Sequence, residues 1–160
     1  MHGWLRHPRV KVWGDHECSN YELCMSMKKD ALICYYLYAD ADGIRTKVER
    51  LLFNERLEEL RDFSSRLSAA ITDTAASLTH QFLGDIIVAG GDDILLKFAP
   101  ARYKRATVAK AIEAFGVATG CTLSVGVGTS VPQAYLNLRR AKSEGEGMLI
   151  DNQHLEAACD

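Results

Sequence analysis

The chain has 160 residues, 48% of them apolar and 25% charged, with a net charge of −2. That supports one domain with a real hydrophobic core and argues against wholesale disorder. The near-neutral balance implies no general pull toward nucleic acid, so no sequence-specific nucleic-acid partner is expected.

No apolar run approaches the ~20 residues that span a bilayer, and the first residues lack a signal-peptide core. Five cysteines without paired spacing suit a reducing compartment. A cytoplasmic protein is the expectation. Residues 1–29 carry Trp4, Trp13, Pro8 and three histidines with no period. The expected organisation is therefore an N-terminal extension over 1–29 and one domain over 30–160. His16, Glu17, Cys18 and Cys24 lack the CxxC or HxxxH spacing of a zinc site.

An apolar run from Ala31 to Ala39 predicts the first strand, and acids follow it in Asp40-Ala41-Asp42-Gly43. Gly43 introduces a helical pattern at Ile44, Val48, Leu51 and Leu52, interrupted near Asn54. A longer helix is predicted from Glu55 to about Leu78, with Leu57, Leu60, Leu67, Ile71 and Ala75 on its apolar side. Two apolar runs, 85–89 and 94–98, flank Gly90-Gly91-Asp92-Asp93 and predict a β-hairpin. Pro100 precedes a helix from about Ala101 to Ala118, closed by Gly120. Residues 121–128 alternate small and apolar and read as a strand, in which Cys121, like Cys34 in the first, is a packing residue. A helix over 131–142 carries Pro132 in its first turn. Gly145 and Gly147 end it, and 148–150 form a short last strand. This order predicts an α+β domain, a mainly antiparallel sheet with helices on one face.

Two strands that end in acids can deliver carboxylates to one sheet edge. Phosphoryl and nucleotidyl transfer needs divalent cations there, and carboxylate oxygens are the ligands a hard cation takes. Asp40 and Asp42 are two apart and point to one side of an extended segment. Asp92 and Asp93 sit at a turn that Gly90 and Gly91 relax by accepting positive φ. With the first strand beside the hairpin, Asp40 and Asp92 can share a metal. A helix starting at Gly43 would turn its free N–H groups toward a phosphate. The plainer readings are a hairpin turn and an N-cap at Asp42. Lys142 either reaches a polyphosphate or complements the helix dipole, while Arg139 and Arg140 form a solvated face. Tyr35, Tyr36 and Tyr38 fit a strand, with core packing as the default and base stacking as the alternative for one of them. His80 and His154 have no identifiable catalytic partner.

Tyr36-Leu-Tyr-Ala-Asp40-Ala-Asp42-Gly-Ile-Arg45, the tetrad followed by Ile94-Leu95, and Leu123-Ser-Val-Gly-Val-Gly128 followed by Arg139-Arg140-Ala-Lys142 together resemble the minimal CRISPR polymerases. These are small relatives of the palm domain in the large subunit of type III CRISPR complexes, and the resemblance covers residues 31–150. It implies a ferredoxin-like palm that makes a cyclic adenylate second messenger from ATP, a cyclic dinucleotide or oligoadenylate, in antiphage defence. It implies Mg²⁺ or Mn²⁺ held by Asp40, Asp92, Asp93 and the backbone carbonyl of Ala41, with the three aspartates catalytic. The nucleotide would touch Ala41, Asp42, Gly43, Ile44, Gly90, Gly91 and Lys142. The expected partners are a second copy in a homodimer with facing sites and a separate effector that senses the product.

The related diguanylate cyclases are a nearby alternative from which the chain departs. Ile94 stands where they have Phe, and Val48 replaces the Asn that reads guanine. Gln81-Phe-Leu-Gly84 replaces their product-inhibition motif, and Glu146 replaces a basic residue. Two further readings keep the fold. One is a palm-fold nucleotide cyclohydrolase or hydrolase that uses water as nucleophile; the other is a non-catalytic nucleotide sensor.

Overall fold

The structure, a computed structural model, describes residues 34–151. The extension expected over 1–29, residues 31–33 of the first expected strand, and His154 lie outside the described residues. β1 (Tyr35–Ala41) alternates, burying Leu37, Ala39 and Ala41 on one side. α1 (Ile44–Phe53) follows, and Asn54 ends it. α2 (Leu57–Phe82) runs a turn beyond the expected end, to a left-handed cap at Leu83. β2 (Asp85–Gly90) and β3 (Asp93–Phe98) form the hairpin. The helix expected from 101 begins instead as a short 3₁₀ turn, Pro100–Arg102. Lys104 is extended, with φ −139° and ψ 110°, so α3 (Arg105–Thr119) starts only after it. β4 (Leu123–Gly128), α4 (Val131–Glu144) and β5 (Leu149–Ile150) complete the chain. Ser130 caps α4 by accepting from the Gln133 amide at 3.3 Å.

The five strands lie in the order β2-β3-β1-β4-β5. All pairs are antiparallel except β4 with β5. That order, with helices linking β1 to β2 and β3 to β4, is the ferredoxin-like arrangement. β1 is the central strand, so whatever its C-terminal end carries has a neighbour on each side.

One face of the sheet supplies Leu37, Ala39, Ile94, Leu96, Val125 and Val127 to the core. Phe63, Ile71, Leu78 and Phe82 of α2 and Val108 and Phe115 of α3 cover it. The class and sheet are as expected, but the helices are not confined to one face. α4 packs on the other, because β4 presents Ser124, Gly126 and Gly128 there. A Cβ on Gly126 would stand 2.1 Å from the Leu138 nitrogen and 2.2 Å from the Ala134 carbonyl oxygen. Only a bare backbone lets the helix come this near. Ala134, Leu138 and Ala141 are buried in that contact, and the Asn137 amide donates to the Val127 carbonyl at 2.6 Å.

β5 is anchored from the far side. Arg105 holds Asp151 at 2.9 Å and donates to the Leu149 carbonyl at 3.0 Å, and the Tyr103 hydroxyl also donates to Asp151. Burial and this carboxylate hold the Tyr103 hydroxyl well above its ordinary pKa. Among the described residues, no helix is long and apolar enough to cross a membrane.

Candidate active site

The two acid-bearing segments meet at one end of the sheet. Asp40 and Asp93 are direct cross-strand partners on β1 and β3. The Ala41 amide donates to the Asp92 carbonyl at 3.0 Å, tying the hairpin turn to the end of β1. Gly91 has φ +65° at the first position of the two-residue loop, where such turns require glycine. Gly90 instead stays in the strand, paired with Asp93. The turn thus keeps Asp93 in register with Asp40 and leaves Asp92 beside it.

Like charges directly opposite on a sheet repel. Burial, then the carboxylates of Asp40 and Asp92, push the Asp93 carboxyl above its usual range, against the pull of Lys142 and a hydrogen bond with Tyr38. The Tyr38 hydroxyl is itself raised, by burial and then by Asp93 and Asp40. Its ring lies 5.9 Å from that of Tyr135 on α4. Tyr35, by contrast, packs edge-on against Phe98 and Tyr103.

The cation at this site is Lys142, from the last turn of α4. Its ammonium pairs with Asp40 Oδ1 and lies 3.2 Å from Asp42 Oδ1. Burial works against the ammonium, but its bonds to Asp40 and Asp42 outweigh that and raise its pKa. So Lys142 does more than complement a helix dipole. Arg140 pairs with Glu144 at 2.8 Å on the exposed face, as expected.

Asp42 differs from its neighbours. It is 6% exposed, and its Oδ2 accepts from Ser124 Oγ at 2.7 Å, Thr122 Oγ1 at 3.0 Å and the Gly147 amide at 3.0 Å. Burial opposes its ionisation, yet these donors and Lys142 hold its carboxyl below the usual range. It does not cap α1, which starts at a left-handed Gly43 without any side-chain cap. The first turn of α1, with Ile44, therefore keeps its N–H groups clear of side-chain acceptors.

Thr122, Ser124 and the Gly147 amide escaped the sequence reading. The only signal was two hydroxyls flanking Leu123 in an otherwise apolar strand. Beside Asp42 and Gly43 opens a cleft of about 480 Å³, lined also by Thr46, Lys47, Arg50, Thr122 and Glu146. Lys47 donates to the Thr119 carbonyl at 2.9 Å and lies 4.5 Å from the centre of the Phe63 ring, so it clasps α1 to the end of α3 and to α2. His80 is exposed near the end of α2, away from these groups in sequence and sheet.

The donor set fits a hard divalent cation in chemistry, since all its members are carboxylate or carbonyl oxygens and the Asp40–Asp93 pair carries excess negative charge. Among the described residues, no three His, Cys, Asp or Glu side chains converge on a single metal position. An ion would rest on the Asp40–Asp93 pair, with further ligands drawn from the backbone, from solvent or from a bound phosphate.

Several solved structures share the fold. The Csm1–Csm4 cassette in complex with pppApA is 20% identical with a TM-score of 0.56, over 73% of this chain and 20% of that one. The same cassette in complex with AMPPNP is 19% identical with a TM-score of 0.53, over the same shares. The guanylyl cyclase Cya2 is 19% identical with a TM-score of 0.50, over 79% of this chain and 78% of that one. The chain thus spans about a fifth of the length of the Csm1–Csm4 chains it matches. No curated protein matches the chain. The model of the mCpol family, the minimal CRISPR polymerase domain, matches residues 36–151. With its ferredoxin-like sheet and the acids of β1 and the hairpin brought to one end, the chain belongs to that family.

Proposed function

We propose that the protein is a Mg²⁺- or Mn²⁺-dependent nucleotidyltransferase that joins ATP into a cyclic adenylate, serving as a second messenger in antiphage defence. The observation that carries this reading is the Asp40–Asp93 pair on adjacent strands, with Asp92 beside it and the Lys142 ammonium in contact. Asp40 and Asp93 would hold the ion, with Asp92 and the Ala41 carbonyl within the same turn-and-strand unit. The bound ion would neutralise the triphosphate and acidify the attacking hydroxyl. Lys142 would bind phosphate oxygens, and the uncapped first turn of α1 at Gly43 and Ile44 would donate to them. Gly90 and Gly91 leave the approach to the hairpin clear, since a Cβ on either would meet nothing within 4 Å.

Two observations support ATP as the substrate in this reading. Val48, partly buried against the core, offers no hydrogen bond to a guanine edge. The Csm1–Csm4 structures of the same fold hold the adenine nucleotides pppApA and AMPPNP. A 2′- or 3′-hydroxyl of one nucleotide attacks the α-phosphorus of another and pyrophosphate leaves; a second attack closes the ring. Each chain carries one such site, so a homodimer supplies the second nucleotide.

The test is to incubate the protein with each of the four nucleoside triphosphates and Mg²⁺ or Mn²⁺, and to weigh the products by mass spectrometry. A cyclic adenylate, lost in Asp92→Ala/Asp93→Ala, is the expected result. A ring-opened base or a monophosphate would place the protein with the water-using hydrolases instead. Binding without turnover under both ions would make it a sensor.

A further inference from the structure

We propose that Lys142 is the resident counter-cation of Asp40, and that the site for this reason takes up a divalent ion as its chelate with a triphosphate rather than as the free ion. The inference concerns substrate form, and it rests on the nucleotidyltransferase reading above.

The geometry separates the two carboxylates that Lys142 touches. Asp42 is buried and accepts from Ser124, Thr122 and the Gly147 amide through one oxygen, which leaves its other oxygen for Lys142 at 3.2 Å. The hydrogen bonds that fix Asp42 keep this second oxygen turned toward the lysine. Asp40 is different. It is about a quarter exposed, faces Asp93 across the sheet, and is paired with Lys142. The ammonium therefore neutralises the very carboxylate that an incoming cation would need.

A free divalent ion would have to displace this ammonium from Asp40 and then sit beside it, cation against cation at close range. A metal–triphosphate complex brings its own anion. Lysine is a point charge on a flexible stem, and the Lys142 side chain is 30% exposed. It can leave Asp40 for a phosphate oxygen while keeping Asp42 as its anchor. Asp40 would be freed for the ion as the lysine gained a phosphate oxygen, so neither a bare carboxylate nor a bare ammonium would be left behind. α4 does not need to move, because Ala134, Leu138 and Ala141 hold it against the glycine face of β4.

The test is Mn²⁺ binding, followed by electron paramagnetic resonance of the free ion. Wild type, Lys142→Met, Lys142→Gln and Lys142→Arg are compared, each with and without AMPPNP. Removing the ammonium should tighten binding of Mn²⁺ alone by about tenfold in both neutral variants. Lys142→Arg keeps the charge and should stay within about threefold of wild type. Binding of the Mn²⁺–AMPPNP complex should move the other way, weakening by about tenfold in the neutral variants. Adding Asp40→Asn to Lys142→Met should abolish the gain and so locate the ion.

Unchanged or weaker binding of Mn²⁺ alone in both neutral variants, with melting temperatures like wild type, would overturn the proposal. The two readings fail differently. Tighter Mn²⁺ binding in the neutral variants without AMPPNP binding to any form would keep the counter-cation and remove the nucleotidyltransferase reading.

Discussion

Asp42 and Asp93 are both carboxylates of the same site, yet their surroundings give them opposite consequences for stability. Asp42 is buried with three donors on one oxygen. Asp42→Asn should cost about 2–3 kcal/mol in urea denaturation, because the amide keeps one acceptor oxygen for those donors but loses the charge and turns an NH₂ toward the Lys142 ammonium. Asp93 faces Asp40 across the strands, with Asp92 alongside. Asp93→Asn removes that repulsion and should leave stability unchanged or raise it by about 0.5 kcal/mol, while on the proposed function turnover should fall at least ~100-fold, because the ion would lose a ligand. A loss of stability in Asp93→Asn comparable to that in Asp42→Asn would contradict this division. The meeting of Asp40, Asp92 and Asp93 at one sheet end was legible in the sequence, because each stands at the end of a strand or in the hairpin turn. Lys142, whose pairing only the fold shows, read equally well as a helix-dipole cation. The clamp on Asp42 was not legible. Its donors lie 80, 82 and 105 residues away, and no local period reports a hydrogen bond that only folding creates.

At the scale of elements, the placement of Lys142 depends on the β4–α4 contact. The alternation of small and apolar residues over 121–128 was visible in the sequence, and it correctly predicted a strand. What the small residues were for was not visible. A Ser-Gly-Gly side reads equally well as a solvent face, and only the position of α4 shows it to be a close-packed one. The expectation of helices on a single face failed for that reason. Gly126→Ala should destabilise the fold by about 2–3 kcal/mol, since its Cβ would meet backbone atoms at 2.1 and 2.2 Å rather than side-chain ends that can give way. By tilting α4 it should also shift Lys142 and so lower the nucleotide binding proposed for it. A variant of wild-type stability by denaturant titration would show that the contact is looser than described. The late start of α3 has the same kind of cause. Extended Lys104 breaks the helix between the 3₁₀ turn and Arg105, and nothing in the pattern of 101–118 marks that break. The mainly antiparallel sheet, by contrast, was legible from the hairpin and the alternating strands, and its ferredoxin-like order was implied by the family resemblance.

For the whole molecule, one chain places one Asp40–Asp93 pair and one Lys142 at the end of one sheet. The proposed joining of two nucleotides would call for a second copy facing the first. Sedimentation with Mg²⁺ and a nonhydrolysable ATP analogue should give a dimer; monomer at all concentrations would count against the ring-closing step. The central claim is narrower than the dimer: these carboxylates transfer a nucleotidyl group rather than activate water. The measurement that reaches it most directly is the stoichiometry of pyrophosphate released from ATP against phosphodiester bonds formed, with Asp93→Asn as the control. The account predicts one pyrophosphate for each new bond, and neither product from the variant. Pyrophosphate or phosphate released without any new phosphodiester, or release that survives Asp93→Asn, would contradict it.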